Sequence, residues 1–326
     1  MQKQGELVLA VNIVELLLDR LYRGIARLCH FDGVGLHTGK PVHIDVQPAP
    51  PDFGITFVRS DAGRRPVLVN FFNAVASSRC TLLRENDVEI LTAEHLLSAL
   101  FGLGIDNASI VIDSSELPIL DGSALPYVEA FLAAGIKEQD AEREYLTIDE
   151  PFEYETESGS KYIFEPSDRF EAEVEVEYPS KVVGRQLATF REGDDYAAEI
   201  APCHTFCFFD ELLPLLEKGL IKGGALDNAL VVVDEEPEEE TLARLREAFS
   251  LPDLRRAPEG YLSNCPLSFE NEVARHKLLD LLGDLTLAAM PLKMRVKAYK
   301  PGHASNAEAI GALVSNALTE FDDDEQ

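Results

Sequence analysis

Glu171-Ala172-Glu173-Val174-Glu175-Val176-Glu177-Tyr178 alternates acidic and apolar residues without a break. A strand points successive side chains to opposite faces, so this stretch predicts a strand with one face on a core and one in water. A wet face belongs to antiparallel sheets, because parallel sheets are covered on both sides. Upstream, Phe152 and Tyr154 alternate with Glu153 and Glu155. Downstream, Leu292, Met294, Val296 and Ala298 alternate with Lys293, Arg295 and Lys297. Between them, Pro237 opens a predicted helix with Leu242, Leu245 and Phe249 on one face, and a stronger helix is predicted from about Glu272 to Leu287. Ser305 with Glu308 predicts a capping box for a last helix.

The other half of the chain has the same make-up. Ile25–Phe31 reads as a strand, followed by a glycine-punctuated turn and the alternating Val42, Ile44 and Val46. Thr92 is predicted to cap a helix reaching Phe101, Ala108–Ile112 to form a short buried strand, and Ser123 to cap a further helix. The polar run Gly135–Arg143 predicts a boundary. The expectation is an α+β chain of two similar domains, each a mixed or antiparallel sheet packed with helices. They would occupy residues 24–140 and 141–326, after an N-terminal extension over 1–23.

Composition narrows the function. The 326 residues carry 58 acids against 29 lysines and arginines, a net charge of −29. So acidic a chain is poorly suited to sheathing phosphate backbones, and no nucleic-acid partner is expected. No stretch approaches the ~20 apolar residues of a membrane span, and the N-terminus lacks the pattern of a signal peptide. Five scattered cysteines, Cys29, Cys80, Cys203, Cys207 and Cys265, read as thiols in a reducing cytoplasm. The acids are densest at Asp234–Glu240 and Phe321–Gln326. This fits either a solvated surface with an acidic tail or adaptation to a salty cytoplasm.

The chemistry begins at Arg275-His276-Lys277-Leu278-Leu279-Asp280-Leu281-Leu282-Gly283-Asp284. His276 and Asp280 are four apart and share a helix face, with Asp284 one turn further. The leucines place them near a core, where unpartnered charge is costly. A shared zinc, a His–Asp ion pair or a solvated stripe each answers that cost. Glu94-His95 opens another predicted helix. It suits a zinc ligand beside a carboxylate base, or a helix start favoured by the macrodipole. Two His and one Asp would make three ligands with a fourth position open. His303 lies in the predicted loop before Ser305, either held over a site or an ordinary loop residue.

Longer motifs stand in order along the chain. They are Gly33-Val34-Gly35-Leu36-His37-Thr38-Gly39, Thr92-Ala93-Glu94-His95-Leu96-Leu97, Gly104-Ile105-Asp106-Asn107, Pro118-Ile119-Leu120-Asp121-Gly122-Ser123-Ala124 and Ile221-Lys222-Gly223-Gly224. Arg275–Asp280 and Gly302-His303 complete the set. From about Gly24 to Leu318 the chain resembles the zinc-dependent UDP-3-O-acyl-N-acetylglucosamine deacetylases of lipid A biosynthesis. The resemblance implies two α+β domains, each like the second domain of ribosomal protein S5, with the active site between them. It implies zinc held by His95, His276 and Asp280, and Glu94 as general base. Thr205 would help hold the oxyanion. His303 would protonate the leaving amine, oriented by Asp284. Lys277 and Phe206 would meet the substrate's phosphates and sugar. Phe208–Leu216 with Gly219–Ala225, including Leu212 and Gly223, would line an acyl tunnel. The implied protein is a cytoplasmic monomer acting on a UDP-linked acylated sugar. A zinc amidase for another N-acetylated sugar, or a non-catalytic binding module of the same fold, are the alternatives.

Three stretches depart from the family pattern. Cys203-His204-Thr205-Phe206-Cys207 has a His and two thiols around the Thr-Phe pair. They are expected in the tunnel wall, or less simply as a second metal site. Residues up to about Arg23 precede the family's usual start. Asp234–Asn271 is long, as in the branch fused to a dehydratase, and the expectation is that 326 residues leave no room for that domain.

Overall fold

The computed structural model describes residues 21–77, 79–212 and 228–324. The first half contains β1 (Leu21–Ile25), β2 (Cys29–Val34), β3 (Pro41–Pro48), β4 (Ile55–Arg59), β5 (Arg65–Leu68), β6 (Ala74–Val75), β7 (Leu82–Glu85) and β8 (Val88–Leu91). Helix α1 (Glu94–Gly102), β9 (Ala108–Ile112), α2 (Leu125–Ala134) and β10 (Ile136–Glu142) complete it. The second half contains β11 (Phe152–Glu155), β12 (Lys161–Pro166), β13 (Glu171–Glu177), β14 (Arg185–Arg191), α3 (Tyr196–Glu199), β15 (Phe206–Phe208) and β16 (Leu230–Val232). It ends with α4 (Glu239–Phe249), α5 (Glu272–Leu285), β17 (Met294–Tyr299) and α6 (His303–Asp324).

The α+β reading is borne out. Two five-stranded sheets have the orders β2-β3-β9-β4-β5 and β11-β12-β17-β13-β14. In each, one internal pair is parallel (β4 with β9, β13 with β17) and the other pairs are antiparallel. In each half, one helix precedes the last strand added to the sheet and another follows it. A single hydrophobic cluster runs through both halves.

Strand β13 does what its alternation requires. Ala172, Val174 and Val176 are buried. On the wet face, Glu175 meets Arg185 at 2.6 Å and Glu171 meets Arg295 at 2.9 Å, both from neighbouring strands. Opposite charges across a ladder each add a little stability.

Helices α1 and α5 cross closely, and Gly283 allows it. A Cβ there would lie 2.3 Å from the Glu94 carbonyl oxygen.

Several local expectations need correction. Ile25–Phe31 is not one strand: the chain bends between β1 and β2 and puts them in different sheets. The polar run at 135–143 is largely strand β10, paired antiparallel with β1. Strand β1 therefore takes in Leu21–Arg23, which belong to the expected extension; its residues 1–20 lie outside the described residues. Thr92 does not cap α1. Its φ is +59° and its hydroxyl donates to the buried Glu116 at 3.0 Å. Ser305 lies inside the first turn of α6, and its hydroxyl turns back to Gly302. Ser123 behaves nearly as expected, its hydroxyl accepting from the Leu125 N–H at the start of α2. Helix α5 ends at Leu285 and tightens into a short 3-10 turn, Thr286–Ala288.

Candidate active site

Glu94 and His95 open α1, while His276, Asp280 and Asp284 rise on successive turns of α5. The α1–α5 crossing brings them together, and all five are buried. One ligand-type atom from each of His95, His276 and Asp280 lies within 4.8 Å of the others. The two imidazoles meet edge to face, with centroids 5.2 Å apart.

Three observations test this triad as a metal site, and each fits. His276 Nδ1 lies 3.1 Å from the Cys203 carbonyl, which can only accept. Its Nε2 therefore presents a lone pair, facing Asp280 Oδ1 at 3.3 Å. That carboxylate oxygen is buried and takes no hydrogen bond. Two acceptors facing each other in a buried pocket call for a cation between them. The protonation tendencies agree. Burial, with His276 beside it, pushes His95 down to about 3, and burial also lowers His276, so both imidazoles are neutral ligands. Burial alone would raise Asp280, but the charges of Lys277 and His303 hold it well below the usual carboxylate range. His95, His276 and Asp280 can thus hold a metal ion.

His303 is the first residue of α6 rather than part of a loop before it. Its Nδ1 lies 3.0 Å from Asp284 Oδ2. Its Nε2 points back toward Glu94 Oε1 at 3.9 Å and Asp280 Oδ2 at 3.8 Å. Burial opposes its charge, but the Asp284, Glu94 and Asp280 carboxylates prevail and raise it to about 9. Burial raises Glu94 to about 7, against the opposing pull of His303. A carboxylate and an imidazole of opposite protonation tendency thus face each other beside the triad, the pattern general acid–base chemistry needs.

The remaining predicted residues lie nearby or elsewhere in the second half. Lys277 donates to Asp280 Oδ2 at 2.7 Å and sits 5.7 Å above the Phe206 ring. Phe206 in turn meets His276 edge-on at 6.2 Å. Thr205 is held by its backbone, its N–H donating to Gly122 and its carbonyl accepting from Leu230. Gly122 is required there: its φ is +81°, and a Cβ would meet the Asn228 carbonyl oxygen at 1.8 Å. Leu212 is buried in a small separate cluster with Phe209, Val231 and Leu245. Gly223 and most of the expected tunnel lie outside the described residues. A cavity of about 530 Å³ lies at the opposite end of α1, around Phe101–Gly104, and contains none of these residues.

Residue-type reasoning missed Thr81 and Asn306. Thr81 donates its N–H to Glu94 Oε2 at 2.9 Å and its hydroxyl to Asp284 Oδ1. Asn306 donates to Asp284 Oδ2 at 2.7 Å and accepts from the Tyr162 hydroxyl at 2.6 Å. Asn306 follows His303 by three positions, a helical spacing that would have flagged it. Nothing in the run Cys80-Thr81-Leu82 flags Thr81.

The profile of the UDP-3-O-acyl N-acetylglycosamine deacetylases matches residues 22–249 and 256–315. The chain belongs to this deacetylase family. A bifunctional enzyme LpxC/FabZ of Chlorobaculum tepidum is 41% identical over 86% of this chain and 61% of its own length. One of Porphyromonas gingivalis is 42% identical over 84% of this chain and 60% of its own length. The chain thus spans about three fifths of the length of these two relatives. A UDP-3-O-acyl-N-acetylglucosamine deacetylase of Cellvibrio japonicus is 37% identical over 86% of both chains. No helix among the described residues is long and apolar enough to cross a membrane.

Proposed function

We propose that the protein hydrolyses the N-acetyl group of a UDP-3-O-acyl-N-acetylglucosamine, the committed step of lipid A biosynthesis. The observation that carries this reading is a buried carboxylate and a buried imidazole, Glu94 and His303, 3.9 Å apart beside the His95–His276–Asp280 triad. The names of the deacetylase relatives supply the substrate class.

Zinc, held by His95, His276 and Asp280, would polarise the acetyl carbonyl and acidify the attacking water. Glu94 takes a proton from that water as the new C–O bond forms. The Thr205 hydroxyl helps hold the oxyanion. His303 gives its Nε2 proton to the amine as the C–N bond breaks, leaving acetate and a free amine. Asp284 keeps Nδ1 of His303 protonated, so the proton given up is the one facing the site. Lys277 meets the phosphates and Phe206 the sugar. Leu212 and Gly223 belong to the acyl-binding segment. The two halves, 24–140 and 141–326, read as two copies of one unit like the second domain of ribosomal protein S5. We place the enzyme in the cytoplasm as a monomer, without a nucleic-acid partner.

The decisive experiment is release of acetate from the UDP-linked 3-O-acyl substrate, with and without a zinc chelator. Chelator-sensitive turnover that zinc restores is expected. Turnover only on an unacylated N-acetyl sugar would favour a different zinc amidase. No turnover on either, by zinc-loaded protein, would leave a binding module.

A further inference from the structure

Thr81 is hydrogen-bonded both to Glu94 and to the His303–Asp284 pair. Its N–H donates to Glu94 Oε2 at 2.9 Å. Its carbonyl accepts the Thr92 N–H at 3.1 Å, just before α1 begins. The backbone is therefore pinned on both sides, and a β-branched side chain on a pinned backbone has little rotamer freedom. The hydroxyl is thereby aimed at Asp284 Oδ1, to which it donates, and lies 3.3 Å from His303 Nδ1. The residue is 4% exposed, so water does not substitute for it freely.

The carboxylate of Asp284 is shared among three partners. Oδ1 takes the Thr81 hydroxyl; Oδ2 takes His303 Nδ1 at 3.0 Å and Asn306 Nδ2 at 2.7 Å. Two neutral donors thus compete with the imidazole for one anion. Their presence limits how tightly Asp284 holds the His303 ring, and so how readily that ring turns and releases its outer proton. Too few donors would bind His303 too tightly in its charged form.

We propose that Thr81 is a positioning residue for the acid–base pair: its backbone fixes Glu94, and its hydroxyl moderates the Asp284–His303 hydrogen bond. Thr81 touches no substrate in this scheme and acts through Asp284. The kinetic consequence rests on the deacetylase reading; the hydrogen-bond consequence does not.

The test compares zinc-loaded wild type, Thr81→Val and Thr81→Ser. Val keeps the shape and the backbone N–H but loses the hydroxyl; Ser keeps both polar groups. Thr81→Val is expected to lower kcat about 10- to 100-fold, the usual range for an outer-shell partner. KM and zinc content should stay within about twofold, and Thr81→Ser should recover most of the loss. Independently of turnover, the proton resonance of His303 Nδ1–H should move downfield in Thr81→Val, because Asp284 has lost a competing donor, and return in Thr81→Ser. If Thr81→Val does not fold, Thr81→Ala replaces it, with a smaller downfield shift expected because water can enter. An unmoved resonance in the folded hydroxyl-free variant overturns the proposal, as does full kcat or a loss of zinc. If wild type has no deacetylase activity, that reading falls and the resonance alone decides the role of Thr81.

Discussion

One carboxylate oxygen of Glu272 takes both the backbone N–H and the ring Nδ1 of His204, at 3.0 and 3.1 Å. Its other oxygen accepts from the N–H groups of Ser268 and Phe269. Glu272 is fully buried and opens α5, four residues before His276. His204 adjoins Cys203, whose carbonyl receives His276 Nδ1. The pair therefore ties the Thr205–Phe206 segment to the helix that carries two of the three candidate ligands.

This tie sets a pH window. Cys265 and Glu272 together raise His204 from 6.5 to about 10. Its contribution is thus fully present below 6.5 and is lost as pH climbs toward about 10. Glu272 is lowered from 4.5: burial opposes this, but His204 and the backbone N–H groups prevail. Its contribution is present above 4.5 and is lost as pH falls further. Melting temperature should fall between pH 7 and 10 in the parent and fall less in His204→Gln. Parallel slopes in the two proteins would remove the pair from this account.

One metal ion per chain is expected by elemental analysis. His276→Ala should lose the metal and the activity together. Full occupancy in a His95→Ala, His276→Ala double variant would break the ligand assignment.

Glu94→Gln and His303→Gln spare the ligands. Both should retain zinc while losing roughly 10²–10⁴-fold in rate, the range for one acid–base group. Near-normal turnover in either, or loss of its metal, would mean that the residue has the wrong role.

Gly283→Ala places a methyl against the Glu94 carbonyl, a backbone atom that cannot swing away. Overpacking of this kind costs about 1–3 kcal/mol, more than the ~1 kcal/mol that alanine gains over glycine in a helix. A lower melting temperature and weaker zinc binding are expected, because the helices that meet there hold opposite sides of the triad. A stabilised variant would contradict the crossing geometry.

The net charge of −29 should make the compact state self-repulsive in dilute buffer. Melting temperature is expected to rise between low salt and molar potassium chloride. A flat response would assign the acids to an ordinary solvated surface.

Strand β13 was legible because a half-buried strand must alternate, and Ala172, Val174 and Val176 do. The meeting of His276 with Asp280 was legible because helical spacing fixes a face. The pairing of β1 with β10 was not, because a polar strand at a sheet edge carries no apolar period and looks like a linker. The place of His303 at the head of α6 was hidden by Ser305 and Glu308, which mimic a cap three residues too late. Thr81 was invisible for a different reason. Its importance comes from contacts with residues 13 and 203 positions away, which no local pattern encodes.

The matching strand orders of the two sheets have an evolutionary consequence. Helices α1 and α5 occupy equivalent places, each between the fourth and fifth strands of its own sheet. The candidate site thus draws on one architectural address in each half, with different residues: Glu94 and His95 on the first helix, His276 and Asp280 on the second. A solitary ancestral unit would have offered at most two ligands from that address. If the halves arose by gene doubling, the undoubled chain could not have assembled this triad by itself, because its members come from both halves.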